Sequence, residues 1–299
     1  MKNRILLIVV FCLLLILINI SSDESPTFFK EKKEILVKDV ETKKIKKIDL
    51  ENYVIGVVAG EMPASFEIEA LKAQAIAARS YAVYKIQNSN KDYDVVTDVS
   101  NQKYISIDEM KNKWKDDFDK YYNKIKSAVL ETKEKVMFYN GKVIEAYYFA
   151  MSNGYTEKAS LVFSEDRDYL QSVESSYDNE TIKNFEVTKE FLLKNFCDLL
   201  NIENSNININ EISRSKTNRI DYIIINNIKY KGTDVRKKLN LRSTDFDINI
   251  IDNIVKVTTR GYGHGVGMSQ YGANGMAKDG YKYEEILKYY YKNVKISSI

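Results

Sequence analysis

The sequence predicts an α+β fold in which mixed helices and antiparallel hairpins pack together. Apolar residues recur every three or four positions from Leu50 and again from Ile68, which indicates two packed helices. Asn140-Gly141 and Asn226-Asn227 each separate two strand-like segments, a pattern typical of two-residue hairpin turns. Because helices and strands do not alternate regularly, the order favours an α+β fold over a doubly wound sheet.

The N-terminus carries an apolar run that is typical of a membrane segment. Lys2 and Arg4 precede residues 5–20, which are apolar except for Asn19. The run is a little shorter than the roughly 20 residues that span a bilayer, so a cleaved signal peptide is an alternative. No small-x-small cleavage site follows, which favours an uncleaved signal anchor. We therefore expect a cytoplasmic tail (1–4), a single transmembrane helix (5–20), a polar stalk (21–34) and an external domain (35–299).

Composition limits what the external domain does. The chain has 299 residues and is 44% hydrophobic, which suffices for one large domain or two small ones, so a sub-domain near residues 180–250 is an option. Of its 45 basic residues, all but Lys2 and Arg4 lie beyond residue 20, together with 42 acidic residues. This balance lacks the basic excess that a nucleic-acid partner requires. Cys197 is the only cysteine beyond Cys12, so no internal disulfide is expected there.

The first half of the external domain begins with a predicted hairpin, I-L-V-K-D-V and K-K-I-D-L. The helix that starts at Leu50 must end near Gly60, because Pro63 disfavours helical geometry at the residue before it. Ser65 is the expected N-cap of the next helix. Alanines on the apolar face of that helix imply close packing against a neighbour.

The remaining elements are predicted from the same patterns. The spacing of Trp114, Phe118, Tyr121, Ile125 and Ala128 predicts an amphipathic helix. Residues 188–200 are expected to be helical, residues 201–210 to form a surface loop, and residues 221–230 to form a hairpin.

Glu61 is the candidate catalytic residue. It continues the apolar face of the first helix and lies at its C-terminal end, where unpaired carbonyls disfavour a negative charge. Burial and the helix dipole should therefore both raise its pKa. A carboxylic acid that is protonated near neutrality can donate a proton to a glycosidic oxygen. The alternative is a structural role, in which Glu61 caps a helix or pairs with Arg79 or Lys72.

Two long motifs carry a resemblance to a known family. The stretch E-N-Y-V-I-G-V-V-A-G-E-M-P-A-S-F-E-I-E-A-L-K-A-Q-A-I-A-A-R-S-Y-A-V-Y (51–84) resembles the signature of stage II sporulation protein D and the related amidase-enhancer proteins. So does R-G-Y-G-H-G-V-G-M-S-Q-Y-G-A-N-G-M-A-K-D-G-Y-K-Y-E-E-I-L-K-Y-Y-Y (260–291). Weaker matches lie at 169–178 and 235–246, so the resemblance covers about residues 35–299.

The resemblance implies a lytic transglycosylase, a lyase that cleaves the MurNAc–GlcNAc bond of peptidoglycan glycan strands, with Glu61 as catalytic acid. Retaining and inverting glycosidases need two carboxylates. A lytic transglycosylase can use one, because the 6-hydroxyl of the substrate attacks the anomeric carbon and leaves a 1,6-anhydroMurNAc end. No second acid is evident beside Glu61. An α+β domain with these motifs is thus expected to surround a glycan cleft.

The resemblance also implies a cellular setting. It places the protein in forespore engulfment during sporulation, on the mother-cell side of the septal or engulfing membrane. The implied partners are the amidase-endopeptidase stage II sporulation protein P and the membrane protein stage II sporulation protein M. The alternatives to an enzyme are a non-catalytic activator or scaffold of a peptidoglycan amidase, and a module that binds polysaccharide without cleaving it.

Substrate-binding candidates come from two regions. The glycine-rich segment 261–280 lacks the G-x-G-x-x-G and G-K-[ST] patterns of phosphate loops. We expect it to form a wall of the glycan cleft, with His264, Ser269 and Gln270 bonded to the sugar. A structural role for His264 is the alternative. The family resemblance adds Arg79, which would orient Glu61 or contact substrate.

Three further candidates, Ser152, Asn153 and Tyr169, lie between the two long motifs; Tyr169 would stack on a sugar. Relatives can carry a histidine near S-N-G-Y-T and hold zinc, whereas this chain has Phe149 and no cysteine close by. Zinc prefers four Cys or His ligands, or three with water. We therefore expect no zinc and no other cofactor.

Overall fold

The computed structural model describes residues 34–98, 100–163, 165–203 and 207–299. The predicted tail and anchor (1–20), and the stalk up to residue 33, lie outside the described residues. None of the helices within the described ranges combines the length and the apolarity needed to cross a membrane.

The described elements follow one another without regular alternation, as expected for an α+β chain. The helices are α1 (Leu50–Glu61), α2 (Ile68–Asn88), α3 (Ile107–Trp114), α4 (Phe118–Glu131), α5 (Ala159–Val162), α6 (Leu193–Leu200), α7 (Gly232–Lys238), α8 (Gln270–Lys278) and α9 (Tyr283–Tyr290). The strands are β1 (Glu34–Lys38), β2 (Ile45–Asp49), β3 (Val95–Val96), β4 (Lys135–Tyr139), β5 (Lys142–Val143), β6 (Tyr148–Phe149), β7 (Glu186–Leu192), β8 (Ile209–Arg214), β9 (Ile220–Ile225), β10 (Ile228–Lys231), β11 (Phe246–Ile251), β12 (Ile254–Arg260), β13 (Met268–Ser269) and β14 (Lys295–Ser298).

The strands form small sheets with mostly antiparallel pairing. Their orders are β2-β1-β3, β14-β4-β5, β10-β9-β8, β11-β12-β7 and β13-β6. Only the β1–β3 and β6–β13 pairs described here are parallel. The α+β class is thus confirmed, as are the hairpins predicted at Asn140-Gly141 and Asn226-Asn227.

Helix α2 lies at the centre of the main hydrophobic core. It packs against α1, α4, α8, α9 and β4. Ala75, Ala78 and Ala82 are fully buried in these contacts, because a methyl side chain lets neighbouring elements approach closely. The close packing predicted from the alanines is confirmed.

A second hydrophobic core is built from the later elements. Phe196 of α6, Ile223 of β9, Val235 of α7 and Val255 of β12 are among its buried residues. This core occupies much of the region considered as a sub-domain, 180–250.

The predicted helix over residues 188–200 is wrong in its first half. Residues 186–192 form β7, which pairs antiparallel with β12, and only Leu193–Leu200 is helical. Alternate residues of β7 are more exposed, the pattern of a strand with one face packed. The predicted loop 201–210 is also too long, since β8 begins at Ile209.

Two helix boundaries differ from prediction. Helix α2 begins at Ile68 with Glu67 as N-cap, because Ser65 lies in a turn that the Phe66 N–H closes onto the Pro63 carbonyl at 3.0 Å. The amphipathic helix expected around Trp114 is broken into α3 and α4 by a 3-10 turn, where Lys115 has a φ of 47°. A positive φ at a residue other than glycine ends a regular helix.

Candidate functional site

Glu61 is the last residue of α1. Met62 turns into extended geometry with φ −118° and ψ 141°, and its N–H bonds the Val58 carbonyl at 3.0 Å. A segment around Lys103 lies directly on this helix end: a Cβ at Gly60 would stand 2.2 Å from the Lys103 carbonyl oxygen. The absence of a side chain at Gly60 therefore lets that segment reach Glu61, which is left partly buried.

Two distant parts of the chain hydrogen-bond the Glu61 carboxyl. The backbone N–H of Lys103 donates to Oε1 at 2.6 Å. The side chain of Gln270, the first residue of α8, also hydrogen-bonds it. The E-M-P motif and the glycine-rich motif, widely separated in sequence, therefore meet at this carboxyl.

The pKa of Glu61 is raised above its usual value. Burial is the largest cause, and it is opposed by the Lys103 N–H, by the Lys103 charge and by the Gln270 side chain. The direction of the shift is the one that the sequence predicts. The alternative in which Glu61 pairs with Arg79 or Lys72 is wrong. Arg79 pairs with Glu51, and Lys72 pairs with Glu69 and Glu131.

Two tyrosines lie close enough to Glu61 for its charge to affect their pKa values. Burial raises the pKa of Tyr53 and of Tyr148, and the Glu61 carboxylate raises both further. The Tyr53 hydroxyl donates to Gln102 Oε1 at 3.1 Å, and Gln102 Nε2 donates to the Tyr148 hydroxyl at 2.9 Å. Sequence reasoning missed all three residues. Helical spacing could have found Tyr53, eight residues before Glu61 on the same face of α1, but nothing local marks the other two.

The Gln270 side chain also hydrogen-bonds a residue of α2. Its Nε2 donates to Oε1 of Gln74 at 3.3 Å. Gln74 is a fully buried residue of α2, and its own Nε2 has no hydrogen-bond partner among the described residues. Gln270 was predicted to contact sugar, and the structure places it on the Glu61 carboxyl.

The glycine-rich segment packs against the chain itself. Gly261, Gly263, Gly265 and Gly267 all have positive φ. At Gly267 a Cβ would stand 1.9 Å from the Tyr147 carbonyl oxygen, so only glycine permits this approach. The need for glycine at these four positions is explained by close contacts with residues 147–152 and with Arg219. The structure does not show the predicted wall of a glycan cleft.

His264 lies in an aromatic pocket of this segment. Its Nδ1 accepts the Val266 N–H at 3.0 Å, and its ring packs on Tyr147, Phe149 and Phe163. Burial lowers its pKa to about 3, with Arg236 adding to the effect. The ring is therefore neutral near pH 7, and its contacts favour the structural alternative.

Comparisons with known proteins agree with the two motifs. A family model described as Stage II sporulation protein matches residues 38–139. The chain is 41% identical over 261 residues to Stage II sporulation protein D of Bacillus subtilis. The aligned region covers 85% of this chain and 76% of that protein. The protein of the same name from Bacillus amyloliquefaciens is 41% identical over 260 residues, with 85% and 75% covered. The chain belongs to the stage II sporulation protein D family.

A more distant relative is the Amidase enhancer of Bacillus subtilis. It is 27% identical over 298 residues, covering 81% of this chain and 40% of that protein. Membership of the stage II sporulation protein D family makes this chain a sporulation protein, and the predicted family resemblance is confirmed.

Three further candidates, Ser269, Ser152 and Asn153, have hydrogen-bond partners within the protein. Ser269 caps α8 by accepting the Gly272 N–H at 3.2 Å. Ser152 donates to buried Asp178 at 2.8 Å, and burial raises the pKa of that carboxyl. Asn153 donates to the Thr217 carbonyl and to Asp245, both at 2.7 Å. The bonds of Ser152 and Asn153 join segments that are distant in sequence, whereas that of Ser269 lies within the first turn of α8.

Tyr169 and Arg79 have internal partners as well. Tyr169 is only 7% exposed, and its hydroxyl accepts a hydrogen bond of 3.0 Å from Arg167. Arg79 is fully buried and donates to Glu51 through Nε at 2.9 Å and Nη2 at 2.6 Å. Of the seven predicted substrate-binding residues, the structure brings Gln270 onto Glu61. A direct role of all seven in binding sugar stays a prediction.

Across the described ranges, no group of three His, Cys, Asp or Glu side chains is arranged to hold a metal ion. Phe149, at the position where relatives can carry a histidine, is buried against His264. The absence of zinc stays a prediction.

Proposed function

We propose that this protein is a lytic transglycosylase that cleaves the MurNAc–GlcNAc bond of peptidoglycan glycan strands. The observation that carries the proposal is the Glu61 carboxyl, which is partly exposed and has a pKa raised by burial. An acid of this kind is protonated at a higher pH than an ordinary glutamate, as proton donation to a leaving oxygen requires.

Glu61 performs both proton transfers. It first donates its proton to the glycosidic oxygen as the bond to the anomeric carbon breaks. The carboxylate then accepts the proton of the substrate's 6-hydroxyl while that oxygen attacks the anomeric carbon, which gives the 1,6-anhydroMurNAc end. Because the nucleophile belongs to the substrate, no second carboxylate is needed.

The hydrogen bonds to Glu61 suit the second transfer. After the first step the carboxylate is stabilised by the Lys103 N–H and by the Gln270 side chain. These donors keep the pKa from rising so far that the proton would not be released. The carboxyl is thus balanced between donor and acceptor roles.

The cellular setting is part of the same proposal. The protein acts during forespore engulfment, anchored in the cell membrane by residues 5–20 with the domain outside. Stage II sporulation protein P, as amidase-endopeptidase, and stage II sporulation protein M, as membrane protein, are its proposed partners. Membership of a sporulation protein family supports this setting.

A second candidate function is activation of a peptidoglycan amidase without catalysis. Its support is the distant relationship to a protein named Amidase enhancer. In that case the Glu61 carboxyl would not be needed for the function, which separates the two proposals experimentally.

The decisive experiment is mass spectrometry of purified glycan strands after incubation with wild type, Glu61→Gln and Glu67→Gln. Glu67 is an exposed acid six residues away whose side chain makes no capping bond, so it is a matched control. We expect anhydroMurNAc ends from wild type and Glu67→Gln and none from Glu61→Gln. Anhydro ends from Glu61→Gln at the wild-type rate would refute catalysis by Glu61.

The same variants test the second candidate. If no protein releases fragments, yet Glu61→Gln stimulates an amidase as well as wild type does, the activator function is supported and the transglycosylase is not.

A further inference from the structure

Gln102 is a buried residue of the segment that hydrogen-bonds Glu61. It is 1% exposed and precedes Lys103, whose N–H donates to the Glu61 carboxyl at 2.6 Å. It lies outside the two long family motifs. Residues 101–105 form neither a helix nor a strand. The direction of the Lys103 N–H is therefore not set by the regular backbone bonds of a helix or sheet, so other contacts of this segment have to hold it.

The Gln102 side chain is bonded to three different elements. Its Oε1 accepts a hydrogen bond of 3.1 Å from the Tyr53 hydroxyl of α1. Its Nε2 donates to the Ala78 carbonyl of α2 at 3.2 Å and to the Tyr148 hydroxyl of β6 at 2.9 Å. Because a carbonyl can only accept, Ala78 fixes which end of the amide is the nitrogen. Both amide hydrogens and the amide oxygen are used, so the side chain is held in one orientation.

Two glycines, one turn apart on α1, let the same segment lie against that helix. A Cβ at Gly56 would stand 2.8 Å from the Ile105 carbonyl oxygen. A Cβ at Gly60 would stand 2.2 Å from the Lys103 carbonyl oxygen. These contacts set the distance of the segment from α1, but they act on peptide units that follow Lys103. The Lys103 N–H belongs to the preceding peptide unit, which it shares with the Gln102 carbonyl.

We propose that Gln102 is a positioning residue for Glu61, which holds the Lys103 N–H in line with the carboxyl. The planar peptide unit between Gln102 and Lys103 begins at the Cα that carries the anchored amide, so its rotation is restricted while that amide keeps its three partners. An N–H held in this direction stabilises the carboxylate that forms after the first proton transfer. That consequence rests on the proposed chemistry at Glu61, whereas the positioning itself does not.

The titratable groups around Glu61 come from separate elements, namely Tyr53 of α1, Lys103 of the adjoining segment, Lys113 of α3 and Tyr148 of β6. The Lys103 charge lowers the pKa of Glu61. Burial raises the pKa of both phenols, so they are neutral near pH 7. The Lys113 ammonium donates to a carbonyl in the last turn of α1 at 2.9 Å. An uncharged replacement of Gln102 changes none of these charges, so a shifted Glu61 titration would report the hydrogen bond.

NMR titration of the full-length protein tests the positioning directly. In wild type the Lys103 amide proton should shift with pH at the midpoint of the Glu61 carboxyl titration, since the two groups are hydrogen-bonded. Gln102→Met keeps the length of the side chain without its amide. We expect this variant to raise the pKa of Glu61 by about 1 and to weaken the pH-dependent shift of the Lys103 amide. The high-pH limb of glycan cleavage should move to higher pH with it.

Thr132→Val is the matched control for the loss of a buried hydrogen bond. Thr132 is fully buried, and its hydroxyl donates to the Ala128 carbonyl at 2.8 Å. The substitution removes this bond and leaves the contacts of residues 101–105 in place. We expect Thr132→Val to lose stability without a change in the Glu61 titration. A shift as large as that of Gln102→Met would overturn the proposal, because general loosening of the fold would then explain both.

A second variant, Tyr53→Phe, leaves Gln102 in place. It removes one of the three partners of the amide while the aromatic ring is retained. It should raise the pKa of Glu61 in the same direction by a smaller amount. If Gln102→Met does not fold, the Glu61 titration of Tyr53→Phe decides alone.

An unchanged Glu61 titration in the folded variants would overturn the proposal and leave Gln102 a purely structural residue. The NMR readouts do not depend on glycan cleavage. A shifted Glu61 titration in a protein that releases no anhydroMurNAc ends would support the positioning and refute the transglycosylase, so the two proposals fail independently.

Discussion

The backbone N–H of Lys103 donates a hydrogen bond of 2.6 Å to Oε1 of Glu61, across 42 positions of sequence. Gln270 reaches the same carboxyl from α8. Both donors favour the ionised form, whereas burial favours the neutral form more strongly. The protonation of Glu61 is therefore set by three separate parts of the fold.

Removing the Gln270 amide should raise the pKa of Glu61 further. In Gln270→Leu the carboxylate loses a donor while burial is retained. Carbon-13 NMR titration of the Glu61 carboxyl should show the higher pKa. Because the general acid must be protonated, the high-pH limb of glycan cleavage should move to higher pH as well.

The control for that shift is Gln171→Leu. Gln171 donates to the Asp168 carbonyl at 3.1 Å rather than to Glu61. Its substitution should leave the Glu61 titration unchanged. A Gln270→Leu variant whose Glu61 titrates at or below the wild-type pH would contradict the assigned hydrogen bond.

Arg79 is expected to stabilise the fold. Arg79→Gln leaves Glu51 without its cation, and it leaves the carbonyls of Val129 and Lys135 without a guanidinium donor. Loss of one partner of a buried pair typically costs about 3–5 kcal/mol of unfolding free energy. Urea denaturation followed by circular dichroism measures the loss.

An exposed ion pair provides the comparison for Arg79. Lys47 and Glu34 are 64% and 48% exposed, and Lys47→Gln should cost less than about 1 kcal/mol. If Arg79→Gln unfolds at the wild-type urea concentration but no longer binds glycan strands, the residue contacts substrate as the family resemblance first implied.

The sequence predicts the helix that carries Glu61 better than it predicts the residues that contact Glu61. The position of Glu61 follows from helical spacing and from Pro63, both local signals. Lys103, Tyr148 and Gln270 reach the site through the tertiary fold, and no local pattern marks them. The misassigned segment 188–200 has the same cause, because pairing with β12 makes its first half a strand.

The neutral His264 makes stability depend on pH. Its pKa of about 3 in the folded protein lies below the usual 6.5, so the unfolded chain binds the proton first as the pH falls. The stabilisation is complete above pH 6.5 and is lost between 6.5 and about 3. From pH 7 to pH 5 this residue alone should remove roughly 2 kcal/mol.

Comparison with His264→Gln isolates that contribution from the carboxylates. The difference in unfolding free energy between wild type and variant, measured by urea denaturation, should shrink by roughly 2 kcal/mol from pH 7 to pH 5. A difference that is constant over this range would mean that the imidazole titrates normally in the folded protein.

Gly267 should tolerate alanine far less well than Gly280. Both have positive φ, 78° and 94°, which costs an alanine about 1–2 kcal/mol at either position. A Cβ at Gly280 would meet no atom within 4 Å, whereas at Gly267 it would stand 1.9 Å from the Tyr147 carbonyl oxygen. Gly267→Ala should therefore lose at least about 2 kcal/mol more in unfolding free energy than Gly280→Ala, a value typical of overpacking.

The Gly267 substitution also tests how the glycine-rich segment supports Glu61. Gly267 lies three residues before Gln270, so a backbone shift that relieves the clash would move the amide bonded to the Glu61 carboxyl. We expect Gly267→Ala to reduce glycan cleavage even where it remains folded, and Gly280→Ala to retain it. Equal stabilities for the two alanine variants would mean that β6 and β13 are less closely packed than the Tyr147 contact requires.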